Sequence, residues 1–356
     1  MQYNIGIIGY GNMANYHIRV IPTPAEIKFT KAYDISKESN ERAQKAGLET
    51  CKSAEELLND EELSIVLVAT PPIFHSEYEK KALLARKHLI LEKPATMNAR
   101  ELEELIAIAK EKSLLFTVHH NRRNDNDFLV IKKVIQTGEM GKIFRLESRI
   151  QGPRGIADTW RRKKEYGGGL LYDWGCHLID HILELVDSKV VFVYADFQYL
   201  FGYGVDDNIR VNLMFANGGS ALVEIGTCNF INLPVWYVAG RKATAVIQEW
   251  NEEGRLVEVV DLSQNILADI PRSKIGPSIT FAPCAPGMVV EKSLPSVEIG
   301  AGKFYKNIYA ALEGKEELWV KSEECLRVAK IIDACFVSGK RDETSFAKFS
   351  RQEKRV

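Results

Sequence analysis

Between Gly167 and Ile182 the chain reads GGGLLYDWGCHLIDHI, two carboxylates and two histidines behind three glycines. On an α-helix Asp173 and His177 are i and i+4, stacked on one face, with Asp180 an i+3 neighbour of His177. A carboxylate next to an imidazole suits general acid–base work, because the unperturbed histidine pKa of about 6.5 lies near working pH. Gly175 between them is a poor helix former, at roughly 1 kcal/mol against Ala. Its use would be close approach by another backbone or a flat ring. An ordinary helix with a buried, satisfied histidine accounts for the run equally well. Zinc is a further reading, since His177 and His181 are also i, i+4 with Asp173 nearby. The seven histidines show no other ligand cluster, and no metal is expected.

A second chemistry-bearing pattern opens the chain. Gly9-Tyr10-Gly11-Asn12-Met13-Ala14 fits G-x-G-x-x-A directly after a strand-like run. The first glycine permits a tight turn, and the second lets backbone approach a pyrophosphate. The small third residue lets the following helix pack on its strand. The helix N-terminus faces the anion. Asp34, 20 residues after Ala14, stands where a carboxylate accepts ribose hydroxyls. An acid there favours NAD over NADP, with Lys37 nearby to soften the preference. Ala69-Thr70-Pro71-Pro72 and Glu92-Lys93-Pro94 each close a strand. In an open parallel sheet, ligands bind at strand carboxyl ends. Proline turn chemistry explains Thr70–Pro72 as well as a ligand does, whereas a lysine at a buried strand end needs a partner or a job.

The elements that must position these residues fall into two textures. Residues 1–120 alternate strands (4–9, 28–34, 64–69, 88–92, 114–119) with helices (13–20, 37–46, 74–85, 99–112), which predicts a parallel sheet covered on both faces. After about residue 145 the runs 144–150, 190–200, 209–215, 220–228 and 235–248 read as longer, partly alternating strands. Asn217-Gly218-Gly219 is a hairpin signal. The expected architecture is α/β, with a mostly antiparallel second sheet and closing helices at 303–312 and 322–338. The expected domains are 1–121 and 122–356. Residues 261–299, with five of the twelve prolines, read as a functional loop or an arm to a partner subunit.

Lys plus Arg is 47 and Asp plus Glu is 48. No global field favours nucleic acid or an anionic membrane, and neither partner is expected. The six cysteines (51, 176, 228, 284, 325, 335) form no CxxC pair and read as free thiols of a reducing compartment. With no signal-like segment and no long apolar window, a cytoplasmic location is expected.

Taken together, GIIGYGNMA (6–14), Asp34, IVLVATPPIFHSEYEKKAL (65–83), KHLILEKPAT (87–96), HHNRR (119–123) and GGGLLYDWGCHLID (167–180) resemble the glucose–fructose oxidoreductase / inositol dehydrogenase / MocA family. The resemblance implies an N-terminal Rossmann domain and a C-terminal α/β domain with an open, mainly antiparallel sheet, whose outer face builds homodimers or homotetramers. It implies Lys93, Asp173 and His177 as the catalytic set. It implies cofactor contacts from Gly9, Gly11, Asn12, Met13, Asp34, Thr70, Pro71, His75, Glu92, Lys93 and Asn121. Trp160 and Arg161 would join Lys93, Asp173 and His177 around the substrate, and the glycines at 167–169 would bring the chain close to the nicotinamide. The expected activity is hydride transfer between NAD(H), or NADP(H), and a secondary alcohol or ketone of a sugar, cyclitol or sugar derivative. NAD-dependent glycoside cleavage on the same fold is the alternative, and a cofactor-sensing regulator the third reading. His119-His120 and the 261–299 segment depart from the family pattern and bear on specificity.

Overall fold

The computed structural model describes residues 2–250, 254–260, 272–273, 276–277, 287–300 and 302–339. The opening run forms β1 (Tyr3–Ile8), followed by α1 (Asn12–Arg19), β2 (Ile27–Tyr33) and α2 (Lys37–Lys45). Then come β3 (Glu49–Thr50), α3 (Ala54–Leu58), β4 (Ile65–Val68) and α4 (His75–Leu84). The unit ends with β5 (His88–Leu91), α5 (Ala99–Glu111) and β6 (Phe116–Val118). All six strands pair in parallel in the order β3-β2-β1-β4-β5-β6. Order reverses between β1 and β4, which is where such a sheet opens a crevice for a ligand. The strands at this centre are continuous apolar runs because helices cover both faces: Ile5, Ile7, Ile65, Leu67 and Ile90 are fully buried in one layer, and Val66, Val68, Leu89 and Leu91 in the other.

After α6 (Asn126–Gln136) the chain builds the second sheet. Its strands are β7 (Ile143–Gln151), β8 (Val190–Gln198), β9 (Asn208–Phe215), β10 (Ser220–Gly226), β11 (Trp236–Gly240), β12 (Ala243–Ile247) and β13 (Arg255–Val259). With the edge strand Val289–Ser293 they run in the order (289–293)-β13-β12-β11-β7-β10-β9-β8. Every pairing is antiparallel except β7 with β10. The Asn217–Gly219 hairpin signal holds, since β9 and β10 pair directly across it. Residues 235–248 are two strands rather than one. Gly240 sits so close to the Met140 carbonyl (2.3 Å from an added Cβ) that only glycine fits, and the chain turns there through Arg241 and Lys242.

One face of this sheet packs on α7 (Cys176–Leu185): Ile209, Val211, Leu213, Val223 and Ile225 share a core with Ile179 and Ile182. The other face carries an ionic lattice, Arg145–Glu147–Arg149–Glu224–Arg210, beside exposed Phe192, Tyr194 and Met214. The closing helices α8 (Lys303–Leu312) and α9 (Ser322–Ser338) return to the first sheet. Phe304, Tyr305 and Ile308 complete its core on one side, and Val320 and Cys325 on the other. The later turns of α9, through Val328, Ile332 and Cys335, lie in the core of the second sheet. Much of the 261–299 segment lies outside the described residues.

Candidate active site

The nucleotide end is built at the turn between β1 and α1. Gly9 has φ +90°, and an added Cβ would lie 2.8–2.9 Å from Thr70 and Ala69, so only glycine fits. Gly11 is different. Among the described residues, its chain neighbours aside, no atom lies within 4 Å of a Cβ placed there, and no side chain caps α1, which begins at Asn12 and Met13. Among the described residues nothing demands a glycine at 11, whereas close approach of an anion to the free N–H groups of the helix end would. Asp34 closes β2 next to this turn. Its Oδ2 accepts from Tyr10 N and its Oδ1 from Ser36 N, both at 2.7 Å. Beside it lies an open hollow of about 420 Å³ lined by Asp34, Ile35, Lys37 and Asn40, with Ile35 fully presented at 84% exposure. These residues fit a dinucleotide, and Gly9, Gly11, Asn12, Met13 and Asp34 would hold its adenosine and pyrophosphate.

Farther along the strand ends, Thr70 follows β4 and its carbonyl accepts from His75 Nε2 at 2.7 Å. His75 Nδ1 faces the Pro94 carbonyl at 2.9 Å, so this buried ring lies between the Thr70–Pro71 and Glu92–Pro94 turns, with one N–H to donate when neutral. Burial pushes its pKa down. Thr70 Oγ1 is enclosed without a partner among the described residues. Glu92 is 4% exposed, its Oε1 held by His17 and His119. Asn121 opens the single turn Asn121–Asn124 just past β6.

The two halves meet at Lys93. Its Nζ donates to the Asp173 carbonyl at 2.7 Å and to Asp173 Oδ1 at 2.9 Å. Arg161 Nε donates to Asp173 Oδ2 at 2.8 Å, and Arg161 stacks over Trp160 at 4.7 Å. Burial alone would raise the Asp173 carboxyl, but the two cations hold it below the usual range. The geometry differs from a plain helix. Leu171–Gly175 is a π-turn and α7 begins only at Cys176, so Asp173 belongs to a wider coil than His177. Asp173 therefore serves the lysine, and Asp180 serves Arg123 (2.6 and 2.8 Å). Among the described residues His177 is left without a hydrogen bond, its Nδ1 enclosed and its ring 6.1 Å from those of His120 and Trp174. Burial first, then the nearby Lys93, His120 and Arg122, hold its pKa well below the ordinary value. The imidazole is neutral at working pH and able to take a proton. His181 points elsewhere, to the Arg122 carbonyl and the Phe128 ring, and is not grouped with Asp173 and His177.

The three glycines have a reason within the protein itself. An added Cβ at Gly167 would lie 2.8 Å from Met97 Sδ, at Gly168 2.5 Å from the Arg161 carbonyl, and at Gly169 2.1 Å from Asp206 Oδ1. They admit protein, so that the turn carrying Arg161 and the carboxylate of Asp206 can clasp the start of the helix. Asp206 accepts from Leu170 N through its carbonyl (3.0 Å) and from Leu171 N through Oδ2 (2.7 Å). Asp206 escapes a reading of the sequence because its partner lies 35 residues away; the acidic pair Asp206-Asp207 after a glycine-rich turn is the only cue. Arg122 is a second such residue, its guanidinium 3.8 Å over Trp174 and 5.4 Å from Trp250 at the edge of the site.

Comparison with known proteins agrees with this geometry. Residues 3–120 match GFO_IDH_MocA, the oxidoreductase family with an NAD-binding Rossmann fold, and residues 128–246 match the GFO/IDH/MocA C-terminal domain. The chain is 36% identical over 189 residues to the scyllo-inositol 2-dehydrogenase (NADP(+)) IolW of Bacillus subtilis, covering 51% of each. It is 27% identical over 229 residues to the myo-inositol 2-dehydrogenase of Thermotoga maritima, covering 62% of this chain and 67% of that one. The chain spans 36–51% of the length of the first curated relatives it matches. An NAD-binding protein from Listeria innocua has the same fold, with a TM-score of 0.85, 37% identity, and 96% and 95% of the two chains covered. With a glycine turn at β1, a lysine–aspartate pair between two domains and both domain matches in order, the chain belongs to the Gfo/Idh/MocA family of oxidoreductases, with a Rossmann domain for NAD(P).

Proposed function

We propose that this protein transfers a hydride between NAD(H) and a secondary alcohol or ketone of a sugar or cyclitol, with Lys93, Asp173 and His177 as its catalytic residues. The carrying observation is the contact of Lys93 with Asp173 beside a neutral, unpartnered His177. The bound nicotinamide supplies the hydride acceptor. An ammonium has three N–H groups. Two of those on Lys93 are taken by Asp173, and the third is free to donate to the substrate oxygen and stabilise negative charge there. Asp173, fixed from its other side by Arg161, aims that ammonium. Loss of hydride from an alcohol carbon leaves a carbonyl only if the hydroxyl proton also departs. His177 Nε2 takes it, since Nδ1 is walled in. Trp160, stacked on Arg161, and Trp174, beside His177, border the substrate.

The relatives named as inositol dehydrogenases support a polyol substrate. The test is an NAD-reduction screen across sugars, inositols and their glycosides, with product identification. NADH accumulating with a ketone product supports the reading. Release of an aglycone without net NADH replaces it with transient oxidation and glycoside cleavage.

A further inference from the structure

Immediately before Lys93 the chain buries a polar cluster that the proton transfer above does not use. Glu92 Oε1 accepts from His17 Nε2 at 2.7 Å and His119 Nδ1 at 2.8 Å, and His17 Nδ1 meets the Tyr305 hydroxyl at 2.5 Å. All three partners are at most 3% exposed. An ionised carboxylate only accepts, so both rings donate to it; the second nitrogen of His17 is then an acceptor, and Tyr305 O–H donates to it. Burial pushes His17 down to about 4, which keeps that ring neutral. Burial would lift the Glu92 carboxyl, but the two histidines outweigh it and hold it below the usual range. Among the described residues Glu92 Oε2 has no hydrogen-bond partner, yet unlike both oxygens of Glu79 it is not walled in. Three elements thus meet at one oxygen, α1 from the glycine turn and the ends of β5 and β6, and α8 joins them through His17. They leave the other oxygen unused.

We propose that His17, His119 and Tyr305 are positioning residues that hold Glu92 as a fixed anion with Oε2 toward the cofactor, so that the site binds the oxidised, cationic nicotinamide more tightly than the neutral reduced form. The inference rests on the reading of the cleft at Lys93 as the nicotinamide end. Glu92 is one residue from Lys93 at the same strand end, and its charge acts on the only part of the dinucleotide that differs between the two redox states. A carboxylate fixed by two charge-assisted hydrogen bonds pays no reorganisation when the ligand arrives. The ratio of the two dissociation constants therefore isolates its contribution from every contact that both forms share.

The experiment is titration of NAD+ and NADH on wild type, Glu92→Gln, His119→Phe and Tyr305→Phe, by calorimetry and fluorescence, with circular dichroism to check folding. Glu92→Gln is expected to shift the ratio of affinities toward NADH by about tenfold, one step of roughly 1.4 kcal/mol. His119→Phe and Tyr305→Phe are expected to shift it about two- to fivefold in the same direction, roughly half such a step. Tyr305→Phe removes a single oxygen, so it stays informative if the larger changes unfold. Equal losses of both affinities, or an unmoved ratio with both forms still bound, overturn this proposal alone. A wild type that binds neither form overturns the cleft reading as well. Two histidines and a carboxylate are also a metal-ligand set. Stoichiometric Zn2+ binding by chelator-treated wild type, lost in Glu92→Gln, would replace the hydrogen-bonded anion with a metal site.

Discussion

Replacing His181 by phenylalanine is expected to weaken the fold in mild base and strengthen it in mild acid. The ring lies flat on Phe128, with centroids 4.1 Å apart and planes 10° apart, so a phenyl ring keeps the packing. It loses one hydrogen bond, from Nε2 to the Arg122 carbonyl at 2.9 Å, about 1 kcal/mol. Burial pushes the pKa of His181 down to about 4, against about 6.5 in an unfolded chain. A depressed folded pKa contributes stability that is present above the unfolded value and lost as pH falls from about 6.5 toward 4, because only the unfolded chain takes up the proton. At about pH 5 that loss is roughly 1.36 kcal/mol times 1.5, or about 2 kcal/mol. The variant escapes it. His181→Phe should therefore be about 1 kcal/mol less stable than wild type at about pH 8 and about 1 kcal/mol more stable at about pH 5, crossing near pH 5.8. Urea unfolding followed by circular dichroism at the two pH values reads the difference. The same sign and size of difference at both would refute the claim that this histidine is held neutral by burial.

Asp34→Ala should narrow the preference for NAD(H) over NADP(H), measured by fluorescence titration, because it removes the carboxylate that repels a 2′-phosphate; a wild type preferring NADP(H) would defeat the reasoning. His177→Ala should lower kcat by about 10² to 10⁴ with cofactor affinity retained. Since His177 is depressed well below 6.5 and acts deprotonated, activity of the wild type is present above that lowered pKa and lost only as pH falls through it. An acid limb at or above pH 6.5 would contradict this. Phe192 and Tyr194 stand exposed on the outer face of the second sheet, and Phe192→Glu should weaken self-association at least tenfold by analytical ultracentrifugation. A wild type that is monomeric at micromolar concentration would remove the interface.

Most of the parallel sheet was legible because β1, β4 and β5 are short apolar runs and the glycine turn, Asp34 and Lys93 are tied to strand ends, whereas β3, only Glu49–Thr50, and the five-residue α3 carry no such pattern. The strand break at Gly240 was not legible either, since the reason for it is the Met140 carbonyl, a hundred residues earlier in the chain. The same holds for the glycines at 167–169, whose neighbours Met97 and Asp206 are distant in sequence. The spacing of Asp173 and His177 suggested a shared helical face. A π-turn carries Asp173 while His177 lies in α7, and Asp173 pairs with a lysine 80 residues away. Residue types announced the chemistry, whereas the pairing of donors with acceptors depended on tertiary contacts.

Helix α9 begins with Cys325 in the core of the first sheet and ends with Cys335 in the core of the second. It works as a strut driven into two walls. Swinging one domain away from the other would pull either its first turns or its last out of close-packed surroundings, and a single buried leucine-sized side chain already resists that by about 1.5–3 kcal/mol. The cleft that holds Lys93 against Asp173 is therefore expected to open through its loops and not through a wide hinge. Both sheets are therefore expected to unfold in a single cooperative transition, and two separate transitions in urea would refute the coupling through this helix.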